Sequence, residues 1–292
     1  MQLDKTSIVI RERGLFELLD LTLCVLRGYG GGLLACWFVG CAPFALLNLW
    51  LFREHWHPET FGDGWMNTYL WHSLMLVMWE LPLATAPMTM YLGQSLFLEQ
   101  PTPGGIVRSL LSRWGQIVFF SIFLRGMYLA WPTLAFISDG EPGMIGLASV
   151  IAVLGLGFTF FFWPYANEVL LLERNPLFAR RGEVNTWRRV LALHGHATGD
   201  VFGRSMICMF IAGVLGMSLW LAAIDLHQKV MLEQEVLPAV NAAYFQITIW
   251  FVAGFFTVVR FLSYLDLRIR TEGWEIELLL RAEGAKIARQ VA

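Results

Sequence analysis

Charge is scarce in this sequence. Asp, Glu, Lys and Arg make up 15% of its 292 residues, where an ordinary soluble domain carries about 25%. Hydrophobic residues make up 57%, and the mean hydropathy is +0.56. Paired cysteines are lacking too. The four present (Cys24, Cys36, Cys41, Cys208) show no CxxC spacing and fall in or beside apolar runs. They read as small buried thiols, not as disulfides or zinc ligands. No short apolar region with a small-residue cleavage site follows Met1, and no lipidation motif is expected at Gln2 or at Gln290-Val291-Ala292. HExxH, GxSxG and Walker motifs are missing. The apolar runs contain no Asp, which weakens an intramembrane aspartyl-protease reading.

What is present is a series of apolar runs, several longer than 18 residues, the length that argues for transmembrane helices. An amphipathic stretch (Phe16, Leu19, Leu23 and Leu26 at helical spacing, with Arg11, Arg13 and Arg27 nearby) is expected to lie in the headgroup layer. The first span follows as the uncharged run Gly28 to Phe52. The second lies within Trp65–Leu98, where Pro82 and Pro87 should bend it. The third is placed at 115–137, the fourth at 144–167, the fifth at 205–224 and the sixth at 243–259. The fold expected is all-α: six transmembrane helices as three hairpins, each preceded by a cytoplasmic amphipathic helix. The segments are residues 1–29 (amphipathic), 30–263 (membrane) and 264–292 (charged cytoplasmic tail).

The distribution of charge sets orientation. All of the 21 Lys and Arg except Arg53, Arg125 and Lys229 fall on one side of this map. The positive-inside rule then puts both termini in the cytoplasm. The map also shows an internal echo: Tyr91…Glu99, Tyr165…Glu173 and Tyr264…Glu272 each place Glu eight residues after Tyr at the end of an apolar segment. The basic amphipathic pieces at 14–29, 104–114 and 184–203 open the three units. The repeats run parallel; inverted repeats are the stronger transporter signature.

Glu80 and Arg125 are the ionisable residues expected inside the membrane. Such a group costs at least ~2.5 kcal/mol at mid-bilayer on insertion scales, so each needs a partner. Pairing with each other is the simplest solution, either as a proton or solute pathway or as an ion pair fixing helix register. Glu168, Glu99 and Glu272, paired with Arg174, Arg204 or Arg260, are expected to stitch the hairpins together. The basic loop with Arg174, Arg180, Arg181, Arg188 and Arg189, together with Arg268 and Arg270 in the tail, suits contact with anionic lipid or a cytoplasmic partner. In the tail, Asp266 and Arg270 form an i,i+4 pair suited to a solvated helix face, although Leu265–Arg270 also alternates like a strand. Gly273 offers a helix stop.

The weak metal candidates are His55 and His57 outside, with Glu59, and His194 and His196 inside, with Asp200. An H-x-H pair alone is ordinary loop composition, and no metal or other cofactor is expected. Gly30-Gly31-Gly32 lacks the Lys and spacing of a phosphate loop and reads as a close helix contact or a bend. Gly28/Gly32 and Gly199/Gly203 match GxxxG. No nucleic-acid module accompanies the arginines.

The segments Gly14–Asp20, Glu168–Arg174 and Tyr264–Gly273 resemble uncharacterised bacterial six-span membrane proteins, a group similar to the membrane domain attached to some glycerophosphodiester phosphodiesterases. In those enzymes catalysis belongs to a separate soluble domain, so the resemblance brings no phosphodiesterase activity and no catalytic residue to this chain. It implies a protein of the bacterial inner membrane that works beside other membrane or cytoplasmic proteins. The competing expectation is a transporter or lipid-handling permease using Glu80 and Arg125.

Overall fold

The computed structural model describes residues 12–53, 65–96, 101–121, 164–173, 175–177, 185–195, 197–232 and 236–273. Among these residues every regular element is helical. They are α1 (Leu15–Leu51), α2 (Trp65–Ala84), α3 (Ala86–Leu96), α4 (Pro103–Phe119), α5 (Ala166–Glu168, continued by a π-helical turn over Val169–Glu173), α6 (Thr186–His194), α7 (Thr198–Met231) and α8 (Pro238–Glu272). Three of them, α1, α7 and α8, are long and apolar enough to cross a membrane. Most of the third and fourth spans, with Arg125, lie outside the described residues; α4 covers the start of the third.

Helix α8 is the axis. Pro238 occupies its first turn, where a missing N–H costs nothing. Gly273, at φ 65°, ends it in the left-handed conformation that glycine adopts without strain. Its buried side chains run from Ala242 to Ile269. The helix continues unbroken through Leu265–Arg270, so the alternating pattern there is not a strand. Asp266 is 1% exposed, not on a solvated face. Three residues of one helical side, Tyr264, Leu267 and the neighbouring Phe261, are buried with it, and packing rather than local charge spacing decides the orientation.

Helix α1 also departs from expectation. It is one helix of 37 residues, roughly 55 Å at 1.5 Å per residue, and not an interfacial helix followed by a separate span. Glycines at 30, 31 and 32 would each cost about 1 kcal/mol relative to Ala in an isolated helix. The helix persists because it is held from outside: a Cβ on Gly32 would stand 2.2 Å from the Tyr91 ring of α3. Gly28, Gly199 and Gly203 have nothing within 4 Å of a Cβ among the described residues, so of the two GxxxG matches only Gly32 makes a close contact there. A Cβ on Gly254 of α8 would lie 2.7 Å from the Trp37 ring, and Trp37 Nε1 donates to the Trp250 carbonyl at 2.8 Å. These contacts seat α1 against α8.

The second expected span is interrupted at Thr85, between Pro82 and Pro87. Pro87 has no N–H to offer the Leu83 carbonyl. The Asn167 side chain donates to the Pro82 carbonyl at 3.2 Å, which supplies a bond at the irregular turn. Helix α7 is the peripheral element: 6% of its most apolar window is buried, against 50% for α8. A helix apolar on nearly every side and uncovered by protein matches a hydrocarbon solvent. Cys24 is exposed, Cys36 and Cys208 are half-buried and Cys41 is buried; all four are free thiols. Burial therefore holds fully for Cys41 alone.

Candidate functional site

Two polar sites are set among the helices. The larger is a lattice of ion pairs at one end of the bundle, built from α5 to α8 and the segment before α1. One of its buried acids is Asp266. Oδ1 accepts the Arg13 backbone N–H at 2.7 Å, and Oδ2 accepts Arg204 Nη1 of α7 at 2.7 Å. Arg270 Nε lies 3.1 Å from the same carboxylate. The Arg13 carbonyl in turn accepts from Arg204 Nη2 at 3.2 Å and Arg270 Nη2 at 2.7 Å. Both backbone polar groups of Arg13 are thus satisfied by side chains of α7 and α8, as burial demands. Asp200, one turn before Arg204, sits 3.1 Å from its Nε.

A second knot joins the later two Tyr…Glu echoes. Glu173 receives Arg189 through Nε at 2.6 Å and Nη2 at 2.9 Å, the two-pronged geometry suited to a guanidinium. It also accepts the Tyr264 hydroxyl at 2.7 Å. Glu272 binds the same Arg189 and also Arg268, the latter at 2.7 Å. Hydrogen bonding to Glu173 and Glu272 pushes the Arg189 pKa up, so this cation stays charged. The Tyr165 hydroxyl meets Ser263 Oγ at 2.9 Å, and its ring lies 6.1 Å from that of Tyr264. Between the knots, fully buried Glu168 pairs with Arg260 at 2.6 Å. This is the stitch expected for Glu168. Glu272 is also paired, but with Arg189 and Arg268; Glu99 and Arg174 lie outside the described residues.

The arginines nominated for outside contact therefore divide. Arg189, Arg268 and Arg270 are held in internal pairs. Arg188 is exposed. Arg180 and Arg181, like Arg174, are outside the described residues.

His194 ends α6. It is buried against the edge of the Tyr165 ring, with centroids 5.6 Å apart, and its Nε2 has no hydrogen-bond partner among the described residues. His196, His55 and His57 lie outside them, and Asp200 is taken up by Arg204 and Arg270. No group of three metal-ligating side chains forms among the described residues. Burial depresses the His194 pKa to about 4 from 6.5. The sign of its effect follows. Between these two values the unfolded chain binds a proton that the folded chain refuses, so stability falls as pH drops from about 6.5 towards about 4. The full loss is about 3 kcal/mol. Unfolding followed from pH 7 to pH 4 should show this loss in the wild type and lack it in His194→Phe; parallel curves for the two proteins would refute the assignment.

The smaller site surrounds Glu80 on α2. Glu80 is 6% exposed, and the Asn48 amide of α1 donates to Oε2 at 2.9 Å. The sequence reading missed Asn48, because an uncharged residue in an apolar run carries no signal in a search for charge partners. The Asn48 side-chain Oδ1 is buried without a partner among the described residues. Nearby on α2, Trp79 donates to the Ser121 carbonyl at 2.9 Å. Tyr69, towards the other end, donates to the Ala242 carbonyl at 3.1 Å and accepts from Gln246 at 3.2 Å. Arg125, the partner expected for Glu80, lies outside the described residues.

No family model, curated protein or solved structure matches this chain.

Proposed function

We propose that this is a multi-pass protein of the bacterial inner membrane, with six spans in three hairpins and both termini cytoplasmic, acting as a scaffold or accessory subunit of a membrane assembly. The observation that carries the reading is the ion-pair lattice. It ties α6, α7, α8, the π-helical turn and the Arg13 backbone into one body at the basic end of the chain. Paired buried charges favour one arrangement over its competitors, which suits a part whose task is to hold others in place. The exposed apolar faces of α1 and α7 fit the bilayer, and the resemblance to bacterial six-span proteins points the same way. The test is affinity purification from native membranes in mild detergent with mass spectrometry. A stoichiometric protein partner is expected; a clean monomer or homo-oligomer would end the scaffold reading.

One observation favours a second reading. Glu80 is a buried acid within the expected second span, bonded by a neutral amide, and a permease working through Glu80 and Arg125 would use such a group. That reading requires water at Glu80. Cysteine placed at Ser73, two helical turns away, should react with a membrane-impermeant thiol reagent when the native cysteines are replaced. Protection from both sides of the membrane would sink the permease reading.

A further inference from the structure

Four described arginines on the basic side of the expected map take no part in the lattice. Arg27, Arg108, Arg113 and Arg188 form no ion pair with another described residue, while Arg189, Arg204, Arg260, Arg268 and Arg270 are all paired. The four occur on the helices that begin the three units, beside exposed apolar side chains: Leu23 on α1, Val107, Leu111 and Trp114 on α4, and Trp187 and Leu191 on α6.

Helix α4 has the most complete arrangement. Thr102 caps its N-terminus through the Gly105 N–H. Ile106 and Ile117 are buried against the protein. Val107, Leu111 and Trp114, at i, i+4 and i+7, share a neighbouring sector that is at least half exposed. The remaining sector carries an open notch lined by Arg108, Ser109, Ser112 and Arg113. Two cations separated by two hydroxyls, with no carboxylate among the lining residues, match a phosphate group. The notch is open to a ligand. Among the described residues the hydrogen-bond partner of Arg113 is the neutral Gln116 side chain, at 3.4 Å. The Ser112 hydroxyl donates to the Ser109 carbonyl at 2.8 Å and can rotate to a better acceptor. An aromatic–aliphatic sector next to a cationic one is the division that a helix needs to lie at a lipid surface.

We infer that the Arg108–Ser109–Ser112–Arg113 notch binds the phosphate of an anionic membrane lipid, with Val107, Leu111 and Trp114 seated among its acyl chains. The inference rests on the membrane reading above and names a partner for its basic face. By charge and burial, α4 is held at the headgroup layer both by the protein core and by this lipid. Arg27 and Arg188 supply weaker, single-cation versions in the first and third units.

The experiment uses the full chain in neutral-detergent micelles, titrated with dioctanoyl phosphatidylglycerol or dioctanoyl phosphatidylcholine and read as bound lipid by native mass spectrometry. Phosphatidylglycerol should bind preferentially. Arg108→Gln with Arg113→Gln should weaken it roughly 25-fold, about fivefold per cation, and leave phosphatidylcholine unchanged. The Arg108→Lys, Arg113→Lys pair keeps the charges and should retain most of the preference, which guards against loss through misfolding. Lys229→Gln, at an exposed pair with Asp225, should behave as wild type. Equal phosphatidylglycerol affinity in the Gln pair and the wild type would overturn the inference. So would full displacement by inorganic phosphate at the lipid's own concentration, which would mark a free-anion site, or loss of a co-purifying protein with lipid binding intact. Lipid binding without any protein partner would leave the notch standing and remove the scaffold reading, so the two failures are distinguishable.

Discussion

Asp266→Asn destabilises the protein by about 3–5 kcal/mol, the cost of removing one member of a buried, hydrogen-bonded ion pair. Asparagine keeps the size and can still accept the Arg13 N–H through its oxygen. It cannot balance Arg204, which is 9% exposed, nor Arg270 beside it. The expense therefore comes from stranded cations rather than from a cavity. Unfolding by graded denaturing detergent in mixed micelles measures it. Adding Arg204→Met should recover part of the loss, because the second change removes the stranded charge, and the non-additivity reports the coupling. At the far exposed pair, Lys229→Ala should change stability by less than about 1 kcal/mol. A loss at Asp266 no larger than the loss at Lys229 would show that the lattice does not hold the helices.

Gly40→Ala is the second large effect, and it comes with a sign reversal inside the same helix. A Cβ at Gly40 would stand 2.1 Å from the Ala84 carbonyl oxygen and 3.2 Å from its carbon, with Pro87 Cγ at 3.3 Å. The obstacle is backbone held between two prolines, and no side chain can swing aside. Forcing α1 and α2 apart costs about 1–3 kcal/mol or more, and a larger residue would cost further burial around Cys41, Val77 and Ala84. At Gly31 the same methyl meets nothing within 4 Å, and Gly31→Ala should stabilise the helix by roughly 0.5–1 kcal/mol. Unfolding midpoints for the two variants should move in opposite directions. Movement in the same direction would mean that α1 does not approach α2 as described.

Much of this was legible where the signal is local. Apolar run length marks α1, α7 and α8. Pro82 and Pro87 bracket the interruption at Thr85, and Gly273 ends α8. The Glu168–Arg260 pair follows from charges at the ends of neighbouring apolar runs. What could not be read depends on which face of a helix meets which neighbour. Asp266 and Arg270 are an i,i+4 pair in any helix, and spacing is silent on whether that pair is solvated. The clamp on Arg13 uses backbone N–H and C=O groups, which every residue carries, so no residue type announces it. The triple glycine of α1 reads as a bend or a close helix contact, and the choice between them rests on the Tyr91 ring against Gly32, a neighbour distant in sequence. Asn48 escaped notice because it is neutral.

The grip on Arg13 also orders events during synthesis. Asp266 and Arg13 are separated by 253 positions, so the first helix to leave the ribosome is fastened by nearly the last. Until α8 is made, the start of α1 has neither its acceptor nor the arginine of α8 that covers its carbonyl. The clamp on Arg13 therefore closes late, with a large loop already formed. A chain that stopped before the final turns of α8 would lack the Asp266 and Arg270 contacts that hold the Arg13 backbone.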